Sequence, residues 1–538
     1  MTATTRSVHE QLLLWGIVVA VTLIVRPPLP VDETRYLAVA WDMWLENRYL
    51  VPYLNGEPYS HKPPLLFWLM NAGWHLFGVN EWWPRLVAPL FGLGTMVMTG
   101  RLAKTLWPNR ADVAVTAPLL MFGALFWTVF TTLTMFDMML AFFTIAALIN
   151  LVTAARNGRL RRHVLAGLMI GIGLLAKGPA ILLHYLPVAL TAPLWVPHLM
   201  DRNSLVTWVW PKWYGGVVLS VACAVAVGLL WAVPAGLAGG EAYREAIFWG
   251  QSADRVVNSF AHARPFWWYA VALPGLVLPW FIWPPIWRRA RMLWTDDLDG
   301  AQRLCLIWFG SAFFVFSLVS GKQLHYLLPE FPALALLISF ILGGSAGQKR
   351  HYDSWLPGGF FVLGGLVLVV FPLVPPSGRV AETLAETNSL WGMGLVAAGG
   401  YIIWTRAGVR GISLASALSM VSIHLAAEPV LNKRYDLTPI AREIGAYQAA
   451  GRPVANFSKY HGQYHYLGRL REPLTVIGQV NDDEEQFLSA HSNGIVVAYH
   501  RVLPSQAKPL STFIYRRMIV ALWPVQALID QPGIAERR

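Results

Sequence analysis

Two adjacent carboxylates, Asp32 and Glu33, lie at the start of the polar segment that follows the first apolar stretch, and Arg35 follows them. Acidic residues at the start of a helix are stabilised by the helix dipole, so one interpretation is a capped helix at a membrane interface. A carboxylate directly after an apolar span is also a candidate functional group, because it can act as a general base. The chemistry that this run predicts is proton transfer.

A second polar run, Tyr59 to Lys62, ends directly before Pro63 and Pro64. A lysine ammonium binds phosphate as a point charge. The competing interpretation is an anchor, with the lysine stem in lipid and its ammonium in water. The run therefore predicts either a phosphate ligand or an interfacial anchor at Lys62, and we include Tyr59 among the candidate substrate-binding residues.

Three further polar positions interrupt apolar sequence. Asp137 heads one apolar helix, Lys177 lies where two short spans meet, and a run containing Lys322, His325 and Tyr326 separates two more. Each position alone also fits a structural role. Together with the N-terminal runs, they supply several cations for a phosphate and a carboxylate for general-base catalysis, as an anionic substrate in a membrane requires.

The composition places these residues in a membrane protein. Of 538 residues, 55% are hydrophobic and 13% are charged, against about 25% charged in soluble domains. The net charge of +12 comes mostly from basic residues between apolar runs, and no basic patch interleaves with stacking aromatics, which argues against nucleic-acid binding. Cys223 and Cys305 both lie in apolar runs, so neither a structural disulfide nor a thiolate metal site is expected.

About thirteen apolar segments are long enough to be candidate spans. The fold class predicted is therefore mainly α, a polytopic transmembrane helical bundle with interfacial helices. The segment 63–78 is short and begins with two prolines, so we expect it to lie flat in the interface. The segments are 11–26, 82–100, 112–130, 136–154, 163–176, 180–197, 214–236, 266–287, 302–319, 327–344, 356–374, 389–405 and 411–429.

Basic residues predict the orientation. Arginines and lysines gather in five loops between spans, and all five are cytoplasmic if the N-terminus is cytoplasmic, as the positive-inside rule requires. The apolar stretch 12–25 ends at Arg26 without a small-residue cleavage site, so we expect a retained first helix. The loops 27–81 and 238–265 then lie outside the cytoplasm, with the candidate polar residues on that face.

The last hundred residues are different in kind. Residues 431–538 are polar, with short apolar runs at 453–457, 474–477 and 494–499 and a helical pattern over 439–450 that follows Thr438. Short strands between helices predict a small soluble α/β domain. The expected organisation is a membrane domain over 1–430 and a periplasmic α/β domain over 431–538.

The motifs, in their order, resemble the GT-C superfamily of membrane glycosyltransferases, and most closely the bacterial aminoarabinose transferase and protein O-mannosyltransferase-like group (glycosyltransferase families 39 and 83). The resemblance covers nearly the whole chain and rests on a set of short runs. They are 32–36 (DETRY), 52–56 (PYLNG), 61–65 (HKPPL), Phe77-Gly78 with Glu81 and Arg85, 176–179 (AKGP), 262–269 (HARPFWWY) and 321–332 (GKQLHYLLPEFP).

The resemblance implies a GT-C fold, a polyprenyl-phosphate sugar donor such as undecaprenyl phosphate, and catalysis at the periplasmic face of a bacterial inner membrane. Asp32 matches the acidic residue assigned as catalytic, and Asp137 matches a second acidic position near the cavity. Lys62, Arg255 and Tyr326 match the positions that hold the lipid phosphate. The candidate catalytic residues are Asp32, Asp137 and Glu33, and the candidate substrate-binding residues are Arg35, Tyr59, Lys62, Lys177, Arg255, His262, Lys322, His325 and Tyr326.

The chain departs from the aminoarabinose group at two places. His61 precedes Lys62 where that group has glutamate, and Gly250-Gln251 replaces a Glu-His pair. A divalent metal is the one cofactor that the family suggests, and its ligand positions are His61 and Gln251 here. His61 and His262 alone supply only two ligands. No metal site and no other cofactor is therefore assigned.

The predicted reaction is an inverting displacement at the anomeric carbon of a lipid-linked sugar. Asp32 deprotonates or orients the acceptor hydroxyl, while Lys62, Arg255 and Tyr326 stabilise the departing phosphate. The acceptor is a lipid such as lipid A, a glycan or a protein. Two alternatives remain open, a transporter or flippase for a lipid-linked saccharide and a non-catalytic assembly or export subunit. Intramembrane charges and broken spans fit a transporter, although charges at one face and the lack of an internal repeat do not.

Overall fold

The computed structural model describes residues 3–199, 209–250, 263–343, 350–373, 379–479, 483–504 and 508–534. Within these ranges, seven helical stretches are long and apolar enough to cross a membrane, and two bent pairs raise the number to nine. The seven are Trp82–Leu106, Asp137–Asn157, Trp210–Ala238, Gly300–Leu318, Leu324–Gly343, His351–Leu373 and Val409–Ala449. The mainly helical class is confirmed, and the chain is a multi-pass membrane protein. The larger number of about thirteen spans stays a prediction.

The contacts divide the chain into two compact units. The first comprises 1–22, 60–66 and 85–426, and the second comprises 23–59, 67–84 and 427–538. The predicted domain organisation groups the outer loop 27–81 with the membrane part, whereas most of that loop packs with the C-terminal residues.

The first unit is a bundle of helices. Its helices, some of which extend beyond its limits, are α1 (Ala3–Val25), α4 (Trp82–Leu106), α5 (Ala111–Gly123), α6 (Leu125–Thr131), α7 (Asp137–Asn157), α8 (Leu160–Lys177), α9 (Ala180–Leu190), α10 (Ala192–Leu199), α11 (Trp210–Ala238), α12 (Glu241–Glu245), α13 (Trp268–Leu276), α14 (Pro284–Ala290), α15 (Met292–Thr295), α16 (Gly300–Leu318), α17 (Phe331–Gly343), α18 (Trp355–Val370), α19 (Arg379–Ala385), α20 (Gly392–Thr405) and α21 (Val409–Tyr435). A 3₁₀ segment, Leu324–Glu330, leads into α17.

Small residues set the close packing of this bundle. α8 packs against both α7 and α11. A Cβ atom on Gly167 would lie 2.4 Å from the carbonyl oxygen of Ser220, and one on Gly171 would lie 2.5 Å from Cβ of Val227. Since glycine is what allows the α8 and α11 backbones to approach this closely, a larger residue at either position would force them apart.

The helix pair α5–α6 is bent by 76° at Ala124. A break inside a membrane leaves backbone groups that lipid cannot satisfy. Here the Ala124 amide donates to the carbonyls of Leu120 and Met121, and the Leu125 amide donates to Leu278 at 3.0 Å. The indole of Trp280 donates to Leu120 at 2.7 Å. These backbone groups at the bend are therefore hydrogen-bonded within the protein.

The second unit joins residues 23–59 and 67–84 to the C-terminal region. We call these residues the outer segment, because the sequence predicts that the loop 27–81 lies outside the cytoplasm. The outer segment contributes α2 (Asp32–Glu46), a short antiparallel pair of β1 (Tyr53–Leu54) and β2 (Glu57–Pro58), and most of α3 (Leu65–Phe77). The C-terminal region contributes α22 (Thr438–Ala449), β3 (Val454–Phe457), α23 (His465–Gly468), β4 (Thr475–Ile477), α24 (Asp483–Ala490), β5 (Ile495–His500), β6 (Ser511–Tyr515), β7 (Met518–Pro524) and α25 (Val525–Asp530).

The C-terminal strands form one mixed sheet in the order β4-β3-β5-β7-β6. β3 is parallel to both β4 and β5, and the β6–β7 hairpin adds to β5 in the antiparallel sense. β5 is buried along its whole length, as a strand covered on both faces must be. The three predicted strands and the predicted helix over 439–450 are confirmed, and the hairpin was not predicted.

The outer segment is fastened to the C-terminal region by specific contacts within this unit. The Trp41 indole donates to the Leu470 carbonyl at 2.8 Å. Trp74 stacks on Tyr466 with their ring centroids 5.2 Å apart. Asn55 forms two hydrogen bonds with the backbone of Leu474, of 2.8 and 2.9 Å. Because these contacts are paired and largely buried, the two chain segments fold as one body.

Candidate active site

In the first unit, a buried ion pair joins Asp137 and Lys177. Asp137 is the first residue of α7 and Lys177 is the last residue of α8. The side chain of Asp137 is 2% exposed and that of Lys177 is 12% exposed. A carboxylate at a helix N-terminus and a cation at a helix C-terminus are each stabilised by the helix dipole. Gly178 then takes a positive φ of 70°, which lets the chain turn directly into α9.

Other predicted residues surround this pair. The carboxylate of Asp137 interacts electrostatically with Lys62 and His325 as well as with Lys177. The Lys177 ammonium lies 4.9 Å from the centre of the Tyr326 ring, and the Lys62 ammonium lies 5.7 Å from that of Phe136. We call Lys62, Asp137, Lys177, His325 and Tyr326 the Asp137 cluster. It combines two ammonium groups, an imidazole and a phenol around one carboxylate, a set that can hold a phosphate group.

Lys322 has different contacts from those of the Asp137 cluster. Its buried ammonium donates to the carbonyls of Arg264 at 2.9 Å and Val319 at 2.5 Å. The Tyr269 hydroxyl donates to the carbonyl of Gln323 at 2.8 Å. These bonds hold the segment that follows residue 262 along the predicted outer run at 320–326. The contacts favour a structural role for Lys322, and its predicted role in substrate binding stays untested.

A second buried ionisable pair was not anticipated from the sequence. His184 of α9 and Glu330 of the 3₁₀ segment form a hydrogen bond, and both side chains are fully buried. Glu330 ends the 3₁₀ segment that carries His325 and Tyr326, and His184 lies in α9, seven residues after Lys177 in sequence. The pair therefore fixes α9 to the segment that supplies the cluster. The glutamate within the apolar run LLPEFP was the sequence feature that could have indicated this pair.

In the second unit, Asp32 and Glu33 have different surroundings. Asp32 begins α2, is 53% exposed and pairs with Arg35 one turn later. Glu33 is buried, where it forms a two-point ion pair with Arg26 and accepts the Leu29 amide at 2.7 Å. The exposed carboxylate is accessible to a substrate, whereas the buried one fastens the entry to α2. The catalytic role predicted for Glu33 is untested, and its contacts favour positioning.

Tyr59 and Arg35 are neighbours in this unit. Tyr59 is buried with its ring edge on Phe67, their centroids being 6.4 Å apart, and it interacts electrostatically with Arg35. His461, in the loop that follows β3, was missed by the sequence reasoning. Burial, reinforced by the positive charges of Arg35 and Lys459, lowers the pKa of His461.

Three predicted positions lie outside the described residues. They are Arg255 and His262, both candidate substrate-binding residues, and Gln251, which occupies a family ligand position. In the parts of the chain that the structure describes, no group of three or more histidine, cysteine, aspartate or glutamate side chains is arranged to hold a metal ion.

Comparisons with known proteins agree with the motif resemblance. Residues 61–231 match the family model described as dolichyl-phosphate-mannose-protein mannosyltransferase. An undecaprenyl phosphate-alpha-4-amino-4-deoxy-L-arabinose arabinosyl transferase of Serratia proteamaculans is 26% identical over 394 residues, which is 70% of this chain and 67% of that protein. The protein of the same name in Pectobacterium carotovorum is 28% identical over 60% of this chain and 58% of its own length. The predicted resemblance is confirmed.

The fold comparison extends over the whole chain. The crystal structure of ArnT from Cupriavidus metallidurans bound to undecaprenyl phosphate superposes with a TM-score of 0.75, at 18% sequence identity and covering 99% of each chain. This chain therefore has the ArnT fold. In sequence, it spans about 58 to 67% of the length of the first curated relatives that it matches.

Proposed function

We propose that this homologue of bacterial aminoarabinose transferases moves a sugar from undecaprenyl phosphate to a lipid A-type acceptor. The observation that carries the proposal is the Asp137 cluster, in which Lys62, Lys177 and His325 surround one buried carboxylate. Two ammonium groups and an imidazole lie around this one carboxylate, beside the Tyr326 phenol. This set of groups suits an anionic ligand such as a lipid phosphate.

On the donor side of the reaction, the cationic side chains stabilise the leaving phosphate. As the acceptor oxygen bonds to the anomeric carbon, the bond from that carbon to the phosphate oxygen breaks, and the lipid phosphate leaves with the electron pair. Lys62, Tyr326 and Arg255 are assigned to the departing phosphate, where charge develops. Lys177 already pairs with Asp137, so it is assigned to holding the electrostatic balance of the site.

On the acceptor side of the reaction, Asp32 is the general base. Its carboxylate is half exposed, and it is assigned to take the proton of the acceptor hydroxyl. Arg35, which pairs with it, keeps the carboxylate oriented. Displacement from the opposite face inverts the anomeric carbon. We assign no metal, since this route requires only the phosphate as leaving group.

The choice of sugar and acceptor follows the relatives. The names of the Serratia and Pectobacterium proteins specify 4-amino-4-deoxy-L-arabinose on undecaprenyl phosphate, and we propose the same donor here. The matched family model is named for transfer of mannose to protein, so a protein acceptor is the competing outcome.

The site is proposed to face the periplasm of a bacterial inner membrane, with the N-terminus cytoplasmic. Shorter helices such as α8 and α20, and the two bent pairs, coincide with predicted spans that the seven long stretches leave out. Counting them supports about thirteen crossings.

The decisive experiment is transfer by the purified protein in proteoliposomes with undecaprenyl phosphate 4-amino-4-deoxy-L-arabinose. We expect mass spectrometry to detect the sugar on lipid A and to detect free undecaprenyl phosphate in equal amount. Transfer to a peptide and not to lipid A would contradict the acceptor. Movement of the intact donor across the bilayer without cleavage would contradict the proposed reaction.

A further inference from the structure

The buried pair of His184 and Glu330 belongs to the same unit as the Asp137 cluster. Nδ1 of His184 shares a hydrogen bond with Oε1 of Glu330, and both side chains are fully buried. Among the described residues, Nε2 of His184 and Oε2 of Glu330 have no hydrogen-bond partner. Each side chain therefore depends on the other, and the reaction assigned to the Asp137 cluster uses neither of them.

The segment that ends at Glu330 depends on side-chain contacts for its shape. It is a 3₁₀ helix of seven residues, Leu324–Glu330, whereas 3₁₀ runs longer than about three or four residues are uncommon because their hydrogen-bond geometry is poor. Pro329, inside the segment, has no amide hydrogen to donate. The segment packs against α7 and α16. Its position is therefore set by these neighbours more than by its own backbone.

The pair closes a ring of contacts around Tyr326. Tyr326 lies four residues before Glu330, and His184 lies seven residues after Lys177. The Lys177 ammonium lies 4.9 Å from the centre of the Tyr326 ring. The Phe316 ring lies between the two sides, with its centroid 5.3 Å from that of His184 and 5.8 Å from that of Tyr326. A shift of Glu330 relative to His184 would therefore move Tyr326 relative to Lys177.

The other end of the 3₁₀ segment is held separately. The Tyr269 hydroxyl of α13 donates to the carbonyl of Gln323 at 2.8 Å, and the Tyr269 phenol lies within electrostatic range of Tyr326 and Glu330. The segment is thus attached at Gln323 and at Glu330, with Tyr326 between these residues. The attachment at Gln323 uses a backbone carbonyl, which any residue supplies. The attachment at Glu330 uses a side chain, so it places a requirement on the residue type.

We propose that His184 and Glu330 are positioning residues for the donor, which set the place of the Tyr326 hydroxyl at the carrier phosphate. The inference rests on the proposed function, in which Tyr326 binds the departing phosphate. A hydrogen bond is directional, so it fixes both a distance and an angle between α9 and the 3₁₀ segment. An apolar pair of similar volume would fill the same space without fixing that angle. Donor affinity therefore depends on this pair more than the fold does.

Binding of undecaprenyl phosphate to the full-length protein in detergent tests the inference, together with thermal unfolding. The double variant of His184→Leu with Glu330→Met should keep most of its stability, because replacing both members of a buried pair by apolar residues is often neutral. It should nevertheless bind undecaprenyl phosphate about tenfold more weakly, since a hydrogen bond to a charged phosphate is misaligned. Glu330→Gln keeps the length and a hydrogen bond to Nδ1, so it should bind as the unmodified protein does.

A double-mutant cycle with Tyr326→Phe identifies the route of the effect. Tyr326→Phe alone should weaken binding by a similar factor, and adding it to the double variant should weaken binding little further, because the two changes act through one hydroxyl. Additive losses in folded variants would overturn the inference, as would unchanged binding by the double variant. If the double variant unfolds, Glu330→Met alone enters the same cycle. No loss in Tyr326→Phe would contradict the role that the proposed function gives to Tyr326, and the inference with it.

The matched control is Tyr185→Phe. Tyr185 adjoins His184 in α9, is fully buried and donates to the Ser220 hydroxyl of α11 at 3.3 Å. This variant removes a buried hydrogen bond from the same helix but leaves the contact with the 3₁₀ segment intact. It should bind undecaprenyl phosphate as the unmodified protein does. A loss equal to that of the double variant would show that any disturbance of α9 weakens binding, and it would overturn the specific role of the pair.

Discussion

Asp137 and Lys177 form an ion pair between the first residue of α7 and the last residue of α8, 40 residues apart in sequence and almost fully buried. Removing one partner of a buried pair leaves an uncompensated charge, and it typically costs about 3 to 5 kcal/mol. The pair therefore contributes to structure whatever it contributes to catalysis.

Replacing this pair tests the two contributions. Asp137→Ala should lower thermal stability strongly, whereas the double replacement of Asp137→Leu with Lys177→Met should recover much of the loss, because it removes both charges. The double variant should show no sugar transfer even though its stability is recovered. Stability is followed by tryptophan fluorescence in detergent. Recovery of transfer together with stability would reduce the pair to a packing element.

The two adjacent acids should respond differently to amide replacement. Asp32→Asn should leave the folded protein intact and lower kcat by about 10² to 10⁴, the usual contribution of a general base. Glu33→Gln should instead lower thermal stability, because it weakens the buried ion pair with Arg26. Unfolding curves and turnover of both variants are compared. Near-normal turnover of Asp32→Asn would transfer the assignment to Asp137.

The donor phosphate is tested at Lys62. Lys62→Ala should raise KM for the undecaprenyl-linked donor about tenfold to a hundredfold, with the acceptor KM little changed, since one charge-assisted hydrogen bond is commonly about 1.5–3 kcal/mol. Lys104→Ala, an exposed lysine of α4, is the control. If Lys62→Ala lowers yield but leaves donor binding unchanged, Lys62 is an interfacial anchor.

The stability of the second unit should fall as the pH drops below neutral. Burial lowers the pKa of His465 to about 4, from about 6.5 in an unfolded chain. Between these values the unfolded chain binds more protons, so the stabilisation present above pH 6.5 is lost towards pH 4, in total roughly 3 kcal/mol. The His465 ring and the Tyr460 hydroxyl share a hydrogen bond of 2.7 Å.

Thermal unfolding at pH 7.5 and pH 5 measures this dependence in the full-length protein. Burial also lowers the pKa of His500, so its contribution has the same sign. His465→Asn should be less stable at pH 7.5 but should lose much of the slope. A slope equal to that of the unmodified protein would exclude His465 as its source.

The proposed orientation is tested with single cysteines at Asn55, Ser259 and Ser489 in a chain whose Cys223 and Cys305 are replaced. An impermeant thiol reagent should label all three in spheroplasts, because the positive-inside rule places these segments outside the cytoplasm. A cysteine at Arg159, in a predicted cytoplasmic loop, should react only after lysis. The reverse pattern would overturn the orientation and the periplasmic donor.

The features that could be predicted from the sequence are those that depend on residues close together in the chain. Alternating apolar residues identified β3 and β5, and the charged interruptions identified Asp137 and Lys177 on one face. The β6–β7 hairpin was not predicted, because its turn is Arg516-Arg517 and lacks the glycine or asparagine that usually supplies positive φ. Arg516 takes φ of 55° there.

The different roles of Asp32 and Glu33 could not be predicted from adjacent positions. They depend on Arg26, which reaches Glu33 only once α1 has ended and the chain has turned. The proximity of His461 to Asp32 likewise depends on contacts between residues more than 400 positions apart, which no local periodicity records.

The pairing of the outer segment with the C-terminal region has a consequence for biosynthesis. About 340 residues separate Pro84 from Ala427, and a ribosome adding about 5 to 20 residues per second needs roughly 20 to 70 s to make them. During that interval Trp41, Trp74 and the unpaired Asn55 lack their partners, which are synthesised last. This segment is thus synthesised long enough before its folding for chaperones to bind it, and truncation before residue 427 would leave that surface permanently uncovered.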